Sequence, residues 1–127
     1  KMIKKIENFL LYHNNRCSKS REVKNYLDSN KINYNVIDYL NKPIDKKLLN
    51  EIILNLQNDL KEILRTNENL YKSLNEHKKS IEQENILSLI AEYPKLLQRP
   101  IIAKQIDKKI IKSLICRPPE LVKNFLK

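Results

Sequence analysis

Cys17 has the most chemically loaded surroundings in the chain: His13, Arg16, Lys19 and Arg21 flank it, and Ser18 and Ser20 stand beside it. The thiolate is the nucleophilic form of cysteine, and nearby cations or the start of a helix lower the thiol pKa and populate it. Cys17 therefore reads as a nucleophile. A buried cysteine acting as a small hydrophobe suits an apolar segment better than this polar one. The second cysteine, Cys116, lies in such an apolar run and reads first as a packed strand residue. Neither belongs to a CxxC pair, because Cys17 is followed by Ser18-Lys19-Ser20. A redox cycle on Cys17 must take its second thiol from a distant residue or from outside the protein.

The arginines carry a second signal. Against 20 lysines the chain has only Arg16, Arg21, Arg65, Arg99 and Arg117, with no glycine and an excess of Asn and Ile, as AT-rich codon usage would produce. Lysine serves for solubility, whereas arginine offers a planar fork of donors that grips an oxyanion bidentately. Arg16 and Arg21 read equally well as surface residues. The net charge of +10 would ordinarily suggest nucleic acid, but the lysines are spread over every segment and only 6% of residues are aromatic. Few platforms for stacking bases remain, and no nucleic acid is expected. The absence of glycine excludes Gly-rich phosphate loops and dinucleotide fingerprints. His13, Cys17, His77 and Cys116 include no convincing ligand spacing beyond the first pair, so no metal is expected. His77 and the Lys78-Lys79 and Lys108-Lys109 pairs read as solvated.

The elements that must position these residues follow from the apolar pattern. Asn8 to Tyr12 reads as a first strand ending in the turn Asn14-Asn15. Ser18 is the expected cap of a helix carrying Val23, Tyr26 and Leu27 on one face and stopping at Asp28-Ser29-Asn30. Tyr34, Val36 and Ile37 make a second strand, closed by Asn41-Lys42-Pro43. Apolar residues then recur with helical period from Leu48 to Ile90, so residues 45–92 read as a helical insertion, with Asn75 to Ser80 as a charged, mobile linker. Pro94 ends the insertion, Pro100 to Ala103 opens a third strand, Gln105 to Lys108 is a turn, and Ile110 to Ile115 is a fourth strand. Pro118-Pro119 starts a last helix that buries Leu121, Val122, Phe125 and Leu126. At 127 residues this makes one domain of class α/β, a thioredoxin-like four-strand mixed sheet with a helical insertion between its second and third strands.

Four segments carry a family resemblance: His13 to Arg21, Ile63-Leu64-Arg65-Thr66, Leu97-Gln98-Arg99-Pro100-Ile101, and Cys116-Arg117-Pro118-Pro119-Glu120. In order and spacing, from about Asn8 to Leu126, they resemble the signature segments of the glutaredoxin-coupled, ArsC-type arsenate reductases. The resemblance implies that Cys17 attacks arsenate and that Arg65, Arg99 and Arg117 hold the oxyanion. It implies further that His13 helps to depress the thiol pKa, that Ser20 hydrogen-bonds the thiolate, and that Arg99–Pro100 is cis. Glutathione would then be the co-substrate and glutaredoxin the resolving partner, with no bound cofactor. One departure is Asn15, which stands where the family often has proline.

The alternatives weighed are an Spx-like regulator that binds RNA polymerase, an ArsC-like thiol reductase without arsenate activity, and a non-catalytic oxyanion binder. The regulator shares the Arg99-Pro100 segment, but its switch is a CxxC pair, which Cys17-Ser18-Lys19-Ser20 is not. No apolar run approaches the roughly 20 residues of a membrane span, and Phe9-Leu10-Leu11 is too short for a signal-peptide core, so a cytoplasmic monomer is expected.

Overall fold

In the computed structural model, which describes residues 5–74 and 83–127, the apolar run after Asn8 becomes the inner strand β1, Glu7–Tyr12. It pairs in parallel with β2, Tyr34–Ile37, and antiparallel with β3, Ile101–Ile106. β4, Lys109–Ile115, adds to β3 and completes a mixed sheet of order β2-β1-β3-β4. Five helices accompany the strands among the described residues: α1 Ser18–Ser29, α2 Lys46–Leu54, α3 Asn69–Leu74, α4 Gln83–Glu92 and α5 Leu121–Phe125. This is the α/β arrangement expected, with the helical segments of the insertion between β2 and β3. The expected linker Asn75 to Ser80, with His77 and Lys78-Lys79, lies outside the described residues.

Alternation along the strands divides the core between the two faces of the sheet. Phe9, Leu11 and Ile102 pack with Val23 and Leu27 of α1 and Val122 and Phe125 of α5. Leu10, Tyr12, Ile101 and Ala103 pack on the other face with Leu49, Ile52 and Ile53 of α2 and Ile86 and Ile90 of α4. α1 ends in a Schellman motif, with the Lys31 N–H donating to the Asp28 carbonyl at 3.2 Å and the Ile32 N–H to the Leu27 carbonyl at 3.0 Å. The left-handed position, usually glycine, falls to Lys31 at φ 54° in this glycine-free chain. For the same reason the β3–β4 hairpin turns on Asp107 and Lys108, both at positive φ, a tighter turn than the expected Gln105 to Lys108.

The expected helical insertion is discontinuous. Asn55 caps α2, and its side chain donates back to the Glu51 carbonyl at 2.8 Å, so Leu56 leaves the helix to bridge Ser113 on the edge of β4. Asp59 and Glu62 form a capping box that starts a 3₁₀ turn, Leu60–Ile63, after which Leu64 bridges Leu97. Leu56 and Leu64 thus have helical spacing but make strand-like pairs. Pairing at Leu56 protects the β4 edge, which an unpaired strand would expose. Pro118 and Pro119 form a turn ahead of α5, whose first residue is Leu121; Val122 and Phe125 are buried, whereas Leu121 and Leu126 are half-buried.

Asn58 holds the end of β4 where it runs into Cys116 and Arg117. Its Oδ1 accepts the Ile115 N–H at 2.7 Å, and its Nδ2 donates to the Ile115 carbonyl at 3.4 Å. Asn58→Ala leaves the Ile115 N–H unpaired in a half-buried place and its carbonyl with the Arg117 N–H alone, and is expected to cost about 1–2 kcal/mol. A lowered urea midpoint with an unchanged m-value is the expected readout; an unchanged midpoint would contradict the assignment.

Candidate active site

The loop from β1 to α1 is held by its own polar groups. Asn14 accepts the Arg16 N–H on its side chain at 2.9 Å and the Cys17 N–H on its carbonyl at 3.0 Å. Arg21 Nη1 donates to the Asn15 carbonyl at 2.9 Å. These bonds close the turn at Asn15 without a proline. Cys17, at φ −97° and ψ 121°, is itself the N-cap of α1, and its carbonyl accepts the Arg21 N–H at 3.0 Å. Ser18, expected as the cap, is the first helical residue instead.

Cys17 is 9% exposed and makes no side-chain capping bond. The free N–H groups of the first helical turn therefore remain available to its sulfur. Burial pushes the thiol pKa up; the Ser20 N–H, the Arg99 guanidinium and the Lys19 N–H outweigh it and hold the pKa below that of an ordinary cysteine. The thiolate is favoured by main-chain dipoles and one buried-edge cation, which is the environment of a reactive cysteine.

His13 and Ser20 hold each other. His13 is buried with Nδ1 2.8 Å from Ser20 Oγ, and Ser20 Oγ also accepts the Asn14 N–H at 3.0 Å. Burial lowers the His13 pKa, an Asn15 hydrogen bond opposes this, and the charges of Lys24 and Arg21 lower it further. The ring is therefore neutral at pH 7 and brings no positive charge to the thiol. Its contact is with the Ser20 hydroxyl, while the main-chain N–H of Ser20 favours the thiolate.

The three separated arginines have different attachments. Arg99 acts directly on Cys17, and its Nε is buried without a hydrogen-bond partner among the described residues. Arg117 Nη1 donates to the Arg99 carbonyl at 3.0 Å, which ties it to the same corner. The Arg65 guanidinium is engaged by the Lys95 carbonyl at 3.0 Å and the Glu68 carboxylate at 2.9 Å. Arg16 and Arg21 are exposed. The Arg99–Pro100 peptide is cis, and so is Arg117–Pro118.

A residue without a sequence signal of its own also belongs here. Tyr39, just beyond β2, is 2% exposed, with its ring centroid 6.0 Å from that of Tyr12. Burial pushes its pKa up to about 12; the charge of Arg99 lowers it and that of Cys17 raises it, which places the hydroxyl within reach of both fields. It is a neutral hydrogen-bond donor at physiological pH. A large aromatic in the polar stretch Asp38 to Lys42 is the only hint the sequence offers. Cys116 is fully buried beside Phe9, Leu11 and Val122, and burial pushes its thiol up to about 12, consistent with a packing role.

A family model described as the ArsC family matches residues 12–125. The uncharacterized protein YfgD of Escherichia coli is 39% identical over 113 residues, covering 88% of this chain and 91% of that one. The arsenate reductase of Haemophilus influenzae is 36% identical over 118 residues, covering 92% and 97%. The solved structure of the arsenate reductase from Vibrio cholerae superposes with a TM-score of 0.79 at 32% identity, covering 92% of this chain and 96% of that one.

Iodoacetamide at pH 7 is expected to label Cys17 and spare Cys116. Arg99→Ala should move the midpoint of the alkylation-rate profile to higher pH and slow labelling at pH 7 severalfold, because a cation that favours the thiolate has been removed. An unmoved profile, read by mass spectrometry of the labelled peptides, would exclude Arg99 from the thiol's electrostatics.

Proposed function

Because the chain belongs to the ArsC family, we propose that it is a thiol-dependent oxidoreductase in which Cys17 attacks arsenate and outside thiols complete the reduction. The observation that carries this reading is the Cys17 sulfur at the N-cap of α1, facing the N–H groups of Lys19 and Ser20 and the guanidinium of Arg99. Such a sulfur is both nucleophilic and set beside the donors that a tetrahedral oxyanion needs.

In this reading the oxyanion enters against Arg99, with Arg117 and Arg65 completing the grip on its oxygens. A dispersed negative charge is matched by several fixed donors, and arginine forks suit this better than lysines. Attack by the thiolate forms a sulfur–arsenic bond and expels one arsenate oxygen as water, so arsenic is still in its +5 state after this step. The Tyr39 hydroxyl, protonated at neutral pH, is a hydrogen-bond donor on the same side.

The two electrons come from outside. Cys17 has no CxxC partner, and Cys116 is buried and protonated. The glutathione thiol forms a second sulfur–arsenic bond as another arsenate oxygen leaves as water, and a glutaredoxin thiol then attacks the glutathione sulfur. A mixed disulfide leaves, arsenic falls to its +3 state, and hydrolysis of the remaining sulfur–arsenic bond releases arsenite and restores Cys17.

An assay that couples arsenate to NADPH oxidation through glutathione, glutaredoxin and glutathione reductase tests the proposal. Wild-type protein is expected to give an arsenate-dependent rate that Cys17→Ser abolishes and Cys116→Ser retains. No arsenate-dependent rate, or an undiminished one in Cys17→Ser, defeats it.

A further inference from the structure

The Arg65 guanidinium is already gripped before any ligand arrives. Its Nη1 donates to the Lys95 carbonyl at 3.0 Å and lies 2.9 Å from Glu68 Oε1 in an ion pair. With Nη1 held between these two oxygens, the Nη2 and Nε hydrogens are the remaining fork. The main chain at Arg65 is equally fixed, its N–H donating to the Leu96 carbonyl at 2.9 Å beside the Leu64–Leu97 bridge.

Glu68 is fixed in turn. Its N–H donates to the Arg65 carbonyl at 3.1 Å, closing the turn between them, and its carbonyl accepts the Lys72 N–H at 3.1 Å where α3 begins. Lys95 Nζ lies 3.8 Å from the same carboxylate oxygen. The Arg65 and Glu68 side chains are 22% and 27% exposed, so the pair is only partly screened by water. A long arginine side chain loses much rotamer freedom when it first engages a ligand, and a side chain already pinned has lost it beforehand.

We infer that Glu68 is a positioning residue for oxyanion binding: it pins Arg65 by Nη1 and so presents the remaining fork of the guanidinium to the substrate. The inference rests on the reading of Arg65 as an oxyanion ligand given above. Glu68 also brings a negative charge near the anion. That repulsion acts over a longer range and is weakened by the water that reaches the site, whereas the ion pair acts at contact distance, so the pinning dominates.

The test needs no turnover: the arsenate concentration that half-protects Cys17 from iodoacetamide is measured without any reductant. Glu68→Ala is expected to raise it roughly three- to fivefold, the scale of a lost ion pair at a partly exposed site. Glu68→Gln, whose amide oxygen still reaches Nη1 but carries no charge, should recover part of the loss. Glu68→Ser, which keeps a good cap for α3 but cannot reach Nη1, should bind as poorly as Glu68→Ala. Arg65→Ala and the Arg65→Ala, Glu68→Ala double variant should be equally weak, since Glu68 acts only through Arg65. If Arg65→Ala weakens protection while Glu68→Ala and Glu68→Ser do not, or if the two losses multiply, the positioning role is overturned and Arg65 stands as a ligand. If Arg65→Ala itself protects as wild type does, the ligand assignment falls, and the role of Glu68 falls with it.

Discussion

A charge on a partly buried sulfur survives only if donors stand fixed around it before the charge appears, because burial alone drives the proton back onto the thiol. At Cys17 those donors are the N–H groups of the first turn of α1 and the guanidinium of Arg99, which belong to different parts of the chain. Their meeting depends on the β1–β3 pairing, with Tyr12 opposite Ile101 at the strand ends that lead to the two segments. The loop after Tyr12 brings the helix start, and the Arg99–Pro100 corner before Ile101 brings the cation. Much of the remaining structure serves this juxtaposition.

The insertion between β2 and β3 contributes through two strand-like seams. At one, Leu56 runs beside Ser113, with the Gln57 N–H on the Ser113 carbonyl at 2.9 Å and the Ser113 N–H on the Asn55 carbonyl at 3.0 Å. At the other, the Gln98 N–H meets the Ile63 carbonyl at 2.8 Å just ahead of Arg99. The first seam supports the strand that leads to Arg117, and the second ties Arg65 to the approach of Arg99. Helices alone would cover the sheet face, but main-chain hydrogen bonds hold the register of the basic segments as packing could not.

Cys17 was legible because its neighbours are polar and its partner positions exclude CxxC, both properties of contiguous sequence. The strands were legible from their β-branched runs. The seams were not: Leu56 and Leu64 occupy helical spacing, and their strand-like pairing depends on Ser113 and Leu97, far along the chain. The charge of His13 escaped for a related reason. Proximity in sequence suggests a cation beside the thiol, whereas burial and the charges of Lys24 and Arg21 favour the neutral ring. Tyr39 was missed because the burial that makes it part of the site comes from the folded chain, and its local sequence is an ordinary polar turn.

The N-cap of a helix is a place where serine, threonine or asparagine gives the best-anchored start, and α1 has a cysteine there that makes no capping bond. A neutral thiol caps α1 poorly, and the N–H groups of Lys19 and Ser20 favour the sulfur in its charged form. Thermodynamically, the nucleophile and the helix compete for one position, and the fold gives up some stability to keep sulfur in it. An anion or adduct that settles on those N–H groups returns that stability by mass action, so an occupied site and a firmer α1 are two descriptions of the same equilibrium.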